Sequence, residues 1–344
     1  MVEFIFANIW LTVIVGVISI AVVVLSADMA VNKLTGLAGF YRLSTTFVGV
    51  TVVSLATSIP EIAAHYTASV GILRGLLDYE ISSSVVLGSN IGSDVVQQTL
   101  IIAIVIFAAG TLTFKRYFLW KTMLPMILTA ILAIVLGLDG TYSRIDGLIL
   151  FGSFLLYMVF LYFDERKHYK EEDHGFTPEG DRPEGVPANG KEALRDAIIA
   201  VLAMVVTVAS AMVALQATEG IVVRTGIGGS LIGVVTLGIA SALPELTTAI
   251  TGLRKGDTGI PLGTLIGSNI TNPLVAIGGG AIISTYWVAR PLVVWDLPWK
   301  TLTGIILWGI LWFNKGKAGK YTAVYLTLCY VIFLAVRVIF FGQD

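Results

Sequence analysis

The sequence predicts an all-α membrane protein of ten transmembrane helices, arranged as two inverted five-helix repeats. Three observations predict it. The 344 residues are 56% hydrophobic and only 13% charged, with a mean hydropathy of +0.86, whereas a soluble domain carries about 25% charged residues. Apolar runs of about 20 residues, the length that crosses a bilayer, recur along the whole chain. Finally, two motifs of the first half return in the same order in the second half.

Taken in order, the apolar runs place helices near 4–26, 46–73, 82–109, 117–137 and 146–163, then 194–216, 230–253, 260–285, 299–314 and 321–341. The first run follows Glu3 with no basic segment before it, so it reads as a helix and not as a cleavable signal. Asp28 is expected to end or kink that helix near an interface. Residues 164–193 open with Asp164-Glu165-Arg166-Lys167 and continue through Pro, Gly and acidic residues, the composition of a linker. The chain thus divides into 1–163, the linker 164–193 and 194–344. With the N-terminus outside, the outer loops hold six basic residues, Arg74, Arg144, Arg224, Arg290, Lys300 and Arg337, and the cytoplasmic loops hold the other 16 of the 22. The positive-inside rule therefore puts both termini outside and the linker in the cytoplasm of a multi-pass cell-membrane protein.

The internal repeat carries the chemistry. Ala56-Thr57-Ser58-Ile59-Pro60-Glu61 returns as Ala240-Ser241-Ala242-Leu243-Pro244-Glu245, and Leu87 through Ser93 returns as Leu262 through Ser268. These segments sit near 46–109 and 230–285. Five spans per half, an odd number, turn the second copy upside down, the plan of transporters with a site where broken helices meet at the midplane. A carboxylate at membrane depth costs roughly 2.5–3.5 kcal/mol on insertion scales, so two in matching positions point to an ion site. Pro60 and Pro244 remove an N–H and free carbonyls of the preceding turn. Thr57 and Ser58 precede Glu61 by four and three residues and should share its helix face. Gln97 and Asn272 each stand four residues past a serine of the second motif, Ser93 and Ser268.

The candidate ligands are therefore Glu61, Glu245, Thr57, Ser58, Ser93, Gln97, Ser241, Ser268 and Asn272. All are oxygen donors, and two carboxylates neutralise one Ca²⁺, two Na⁺ or two protons. Asp94 is expected off the central face, about 100° round the helix from Ser93. His65 is expected to be a hydrogen-bonded core residue, although it follows Glu61 by one turn. The single cysteine, Cys329, excludes an internal disulfide and reads as a small apolar residue. Trp287, Trp295, Trp299 and Trp308 read as interface and packing residues.

The two Pro-Glu segments, each followed by Gly-x-x-x-Gly-Ser, resemble the alpha repeats of the cation/Ca²⁺ exchanger superfamily, with the sodium/calcium exchanger branch nearest. The resemblance spans most of the membrane part. It implies Ca²⁺ exchanged for Na⁺ by alternating access, with Glu61 and Glu245 as Ca²⁺ ligands. Thr57, Ser93, Ser241 and Ser268 would line the Ca²⁺ and Na⁺ sites, with carbonyls near Ser54 and Gly238 assisting. The chain departs from the pattern at Asn272, where many such exchangers have Asp, at Gln97, where Asn is usual, at Ser241-Ala242, in place of Thr-Ser, and at Asp94. A Ca²⁺/H⁺ antiporter using the same two glutamates is the alternative, although the Gly-Asn-Ala signature of that branch is absent. A cation channel ranks below. No enzyme activity, cofactor, nucleic acid or ATP drive is expected, since the sequence has no nucleotide-binding loop and two of its three histidines, His168 and His174, lie in or beside the linker. The expected partners are the bilayer, Ca²⁺ and Na⁺, and a monomer is compatible with this plan.

Overall fold

The computed structural model describes residues 8–40, 54–114, 116–168, 185–254 and 259–344. Among these residues stand ten helices in the expected order: α1 Ile9–Phe40, α2 in two legs Ser54–Thr57 and Ile59–Leu73, α3 Tyr79–Ala109, α4 Arg116–Gly137 and α5 Arg144–His168. They continue as α6 Gly190–Thr225, α7 in two legs over 229–241 and Leu243–Arg254, α8 over 259–283, α9 over 292–313 and α10 Lys320–Phe340. Eight of the helices are long and apolar enough to cross a membrane. Leucines, valines and aromatics such as Leu156, Val205 and Phe340 cover their outer faces, as a lipid solvent requires. The chain is an integral multi-pass membrane protein.

Several helix ends differ from the sequence expectation, and each has a local cause. The first helix runs through Asp28 instead of stopping there. The Asp28 carboxylate accepts from Asn32 Nδ2 one turn on at 3.1 Å, and Lys33 reaches Asp196 of α6 at 3.1 Å. Ser26 and Thr207 share a hydrogen bond of 2.8 Å across the same pair of helices. Alanines and other small residues line the contact between α1 and α6 (Ala27, Ala30, Ala200, Ala203), which lets the two pack closely. The linker is shorter than expected at both ends. Helix α5 continues to His168, and α6 begins at Gly190, where the Asn189 side chain accepts from Glu192 N. Nor does α6 stop near Gln216–Glu219, because Glu219 finds a partner in the Asp78 backbone N–H at 3.1 Å. The part of the second apolar run before residue 54 lies outside the described residues.

Helices α3 and α8 form the centre. In their spanning windows 78% and 89% of residues are buried, against 17% for α5. Helix α7 lies against α3 almost backbone to backbone. A Cβ added at Gly92 would stand 2.7 Å from Val234 Cα, and one at Gly238 would stand 3.0 Å from Ser93 N. The repeated glycines therefore fix the distance at which the two motif helices meet. Two short antiparallel strand pairs tie loops together: β1 Leu112–Thr113 with β4 Lys317–Ala318, and β2 Thr141–Tyr142 with β3 Tyr286–Trp287.

Candidate ion site

Both Pro-Glu segments are broken helices. The first leg of α2 ends at Thr57, Ser58 sits in a turn at φ −80° and ψ 4°, and the second leg starts at Ile59 with Pro60 and Glu61 in its first turn. In α7 the break falls at Ala242, φ −82° and ψ −4°, with Pro244 and Glu245 after it. Proline suits a first turn, where the N–H it lacks would be unpaired anyway. Farther on, α3 and α8 each contain a π-helical turn, Gln97–Ile101 and Asn272–Ile277. These begin at the two amides singled out in the sequence. Such turns interrupt the regular hydrogen-bond ladder and recur at functional sites.

The glutamates are buried and held in the same way. Ser93 Oγ donates to Glu61 Oε1 at 2.7 Å, and Ser268 Oγ donates to Glu245 Oε1 at 3.2 Å. In both, the second carboxylate oxygen, Oε2, has no protein partner. Glu61 and Glu245 are 1% and 0% exposed and lie within electrostatic reach of one another. Burying two unneutralised carboxylates within reach of one another is strongly unfavourable, so the arrangement calls for neutralisation by a bound cation or by protons. Among the described residues no three acidic, histidine or cysteine side chains gather closely enough to hold a metal ion. The charge available to a cation here is thus that of two carboxylates, supplemented by neutral oxygens. Asn269 Oδ1, Asn272 Oδ1 and Ser58 Oγ are buried and unpartnered.

The hydroxyls are placed differently from the single-face expectation. Because the helix breaks at Ser58, Thr57 does not line up below Glu61. Its Oγ1 lies 3.3 Å from Ser268 Oγ, beside the glutamate of the other half, and 3.2 Å from Ser54 O. Ser241 Oγ likewise lies within reach of Glu61, while it also approaches Gly238 O at 3.4 Å. Each half therefore lends a hydroxyl to the other half's carboxylate. Gln97 Nε2 donates to Ser93 Oγ at 3.0 Å, and Asn269 Nδ2 donates to Gln97 Oε1 at 3.1 Å. Gln97 positions the serine that positions Glu61. Asn272 Nδ2 donates to Asp94 Oδ1 at 2.8 Å instead of contacting a glutamate.

Asp94 and Lys300 are the largest addition to the sequence picture. Asp94 Oδ2 is paired with the Lys300 ammonium, which also approaches Asn269 O at 3.4 Å, and both side chains are 1% exposed. Lys300 is not an outer-loop charge, as the count of basic residues had it. Arg337 is not one either: it is buried in α10 with Nε 3.1 Å from Asp296 Oδ2. The signal for Lys300 was available, because Asp94 is an acid inside an apolar span and calls for a cationic partner; Asp296 lay between the apolar runs 260–285 and 299–314, so nothing in the sequence pointed Arg337 to it. His65 is a hydrogen-bonded core residue, with Nδ1 3.2 Å from Tyr286 Oη, which itself meets Ser69 Oγ at 2.6 Å. Cys329 is a free buried thiol. Trp295 and Trp299 stack at 4.9 Å, in keeping with a packing role.

Comparison with known proteins agrees with this architecture. The inner membrane protein YrbG of Escherichia coli K12 is 27% identical over 319 residues, covering 93% of this chain and 94% of YrbG. The H⁺/Ca²⁺ exchanger CAX shares the fold with a TM-score of 0.71 at 17% identity, covering 95% of this chain and 86% of CAX. The sodium-calcium exchanger NCX_Mj, soaked with 10 mM Na⁺ and zero Ca²⁺, shares it with a TM-score of 0.61 at 20% identity, covering 94% and 99% of the two chains. The profile of the sodium/calcium exchanger protein family matches residues 11–163 and 196–339, nearly all of the membrane part, and the chain belongs to that family of membrane antiporters.

Proposed function

We propose that the chain is a secondary antiporter that moves Ca²⁺ against Na⁺ by alternating access, with Glu61 and Glu245 as the charged ligands. The observation that carries this reading is the matched pair of buried carboxylates. Each has one oxygen fixed by a serine and one free, and they meet at two helix breaks. Ser93, Ser268, Thr57, Ser241, Ser58 and Asn272 add neutral oxygens around them, and Gln97 orients Ser93. Hard cations favour such an oxygen shell, and one divalent or two monovalent ions balance the same two charges. No cofactor takes part, and the ions are cargo.

Inverted repeats are a common plan for alternating access, and three features support 1–163 and 194–344 as such repeats. The breaks at Ser58 and Ala242 correspond at the sequence offset of 184, and the π-helical turns at Gln97 and Asn272 at the offset of 175. At that second offset the β1·β4 pair maps, within about a residue, onto β3·β2. The positive-inside count puts the first pair on the cytoplasmic face and the second outside, as inversion requires. With Lys300 and Arg337 withdrawn from the outer loops, only Arg74, Arg144, Arg224 and Arg290 remain there. The linker is then cytoplasmic and both termini are outside.

The test is ⁴⁵Ca²⁺ uptake into proteoliposomes under an imposed Na⁺ gradient and, separately, a pH gradient. Uptake driven by Na⁺ is the expected result. Uptake that follows only the pH gradient transfers the same site to Ca²⁺/H⁺ exchange, and uptake driven by neither sinks the antiporter.

A further inference from the structure

We infer that Lys300 is a tethered cation that permanently fills a monovalent-ion position beside the transport site, so that the glutamates alone set the charge moved per cycle. The inference rests on the proposed antiport and adds its charge stoichiometry. Asp94 stands midway along α3, Tyr79–Ala109, directly after the serine that holds Glu61. Asn272 stands four residues past the serine that holds Glu245, and it donates to Asp94. The Lys300 ammonium enters this junction from a third helix, α9, between the Asp94 carboxylate and the Asn269 carbonyl. A carboxylate and a backbone carbonyl, both turned toward one buried point, are oxygen donors of the kind a hard cation takes. Here an ammonium takes them.

The lysine is held there from behind. Gln98 Nε2 donates to Lys300 O at 2.9 Å and to Thr303 Oγ1 at 2.8 Å, fixing the first turns of α9 against the π-helical turn of α3. In the other buried pair, Arg337 binds Asp296 Oδ2, Ser230 Oγ and Phe341 O, none of them in residues of the ion site, and Asp296 Oδ1 is left without a partner. Of the two pairs, only Asp94–Lys300 touches both helices that carry the Gly-Ser motif, α3 and α8. With the Asp94 charge cancelled by Lys300, Glu61 and Glu245 balance one Ca²⁺ or two monovalent ions, and exchange moves no net charge. Removing the ammonium exposes a third carboxylate and makes room for one more monovalent ion per Ca²⁺.

The experiment compares the unaltered protein, Lys300→Met and Asp94→Asn/Lys300→Met in proteoliposomes with valinomycin and K⁺ tenfold higher outside, which makes the interior positive. Ca²⁺ accumulation by the unaltered protein should not respond. Lys300→Met, exporting one extra monovalent cation per Ca²⁺ taken up, should accumulate about tenfold more at equilibrium, one charge against a tenfold K⁺ gradient. The double variant should return to voltage independence. A voltage-dependent unaltered protein, or a Lys300→Met protein that transports without responding, overturns the inference. Should Lys300→Met fail to fold, the double variant decides, since it leaves no orphaned charge. It should keep uptake within about threefold of the unaltered protein, and its inactivity overturns the tethered-ion role. ²²Na⁺ binding to the purified proteins separates this inference from the antiport reading, because it needs no transport. Lys300→Met should bind one more Na⁺ than either of the other two, and equal binding in all three rejects the inference even where Ca²⁺ exchange stands.

Discussion

Glu61 and Glu245 differ from the other buried acids among the described residues in having no cationic side chain against them. Asp94 has Lys300, Asp296 has Arg337, and Asp196 has Lys33. On the proposed antiport, the unpaired acids are the ones left for the cargo. Glu61→Gln and Glu245→Gln keep shape and hydrogen-bonding capacity but leave one negative charge against a divalent ion. We expect each to reduce Ca²⁺ uptake by about 100-fold or more, with a normal elution profile for the purified protein. Wild-type uptake by either variant would mark its carboxylate as structural. Thr57 acts on the opposite half through Ser268. Thr57→Val removes that hydroxyl while filling its volume, so a roughly tenfold weaker apparent Ca²⁺ affinity is expected, about the worth of one hydrogen bond. The glutamates were legible in the sequence because an acid repeated at matching positions of two apolar spans is costly in lipid unless a cation balances it. The crossing of Thr57 to the other half was not, because sequence spacing describes a continuous helix and the chain breaks at Ser58.

At the scale of elements, the breaks and close approaches do the positioning. The α3–α7 contact depends on Gly92, where a Cβ would meet Val234 Cα at 2.7 Å, backbone that cannot yield as a side chain does. Gly92→Val should therefore push the motif helices apart, lowering both the midpoint of thermal unfolding and Ca²⁺ uptake; an unchanged melting curve would contradict the packing described. Helices α9 and α10 are joined by Asp296 and Arg337. Arg337→Met strands a buried carboxylate and should destabilise by about 3–5 kcal/mol, whereas Asp296→Asn/Arg337→Met should recover most of that loss. Thermal unfolding in detergent compares the three proteins. Composition located these helices well, but their ends depended on partners distant in sequence. Asn32 and Lys33 carry α1 past Asp28, and the Asp78 backbone supports α6 through Glu219.

At the scale of the whole molecule, the loop contacts named for the described residues join segments that an alternation of ten crossings would put on one face. Strand β1 pairs with β4 and β2 with β3, the end of α1 meets the start of α6, and the Asp78 turn meets the last part of α6. The sidedness itself is testable on a cysteine-free background, since Cys329 is the single native cysteine and is buried. Ala188→Cys in the linker and Tyr321→Cys at the start of α10 should react with an impermeant maleimide only from the cytoplasmic side. Leu76→Cys, in the exposed turn between α2 and α3, should react only from outside. The opposite pattern would reverse the assigned orientation, and labelling of all three from one side would break the ten-crossing topology.

The sequence by itself determined the membrane class, the ten spans, the order of the two motif pairs and the two carboxylates. Hydropathy and repetition are local properties, and the cost of charge in lipid makes exceptions conspicuous. Only the tertiary structure decided which buried charges are paired and which are left without a cationic partner. Lys300 and Arg337 read as loop cations because a basic residue near the end of an apolar run is ordinarily at the interface. Their burial follows from Asp94 and Asp296, more than 200 and about 40 residues away. Ion pairing across such separations is set by how helices pack. Packing in turn followed from glycines and helix breaks whose partners lie in the other half of the chain.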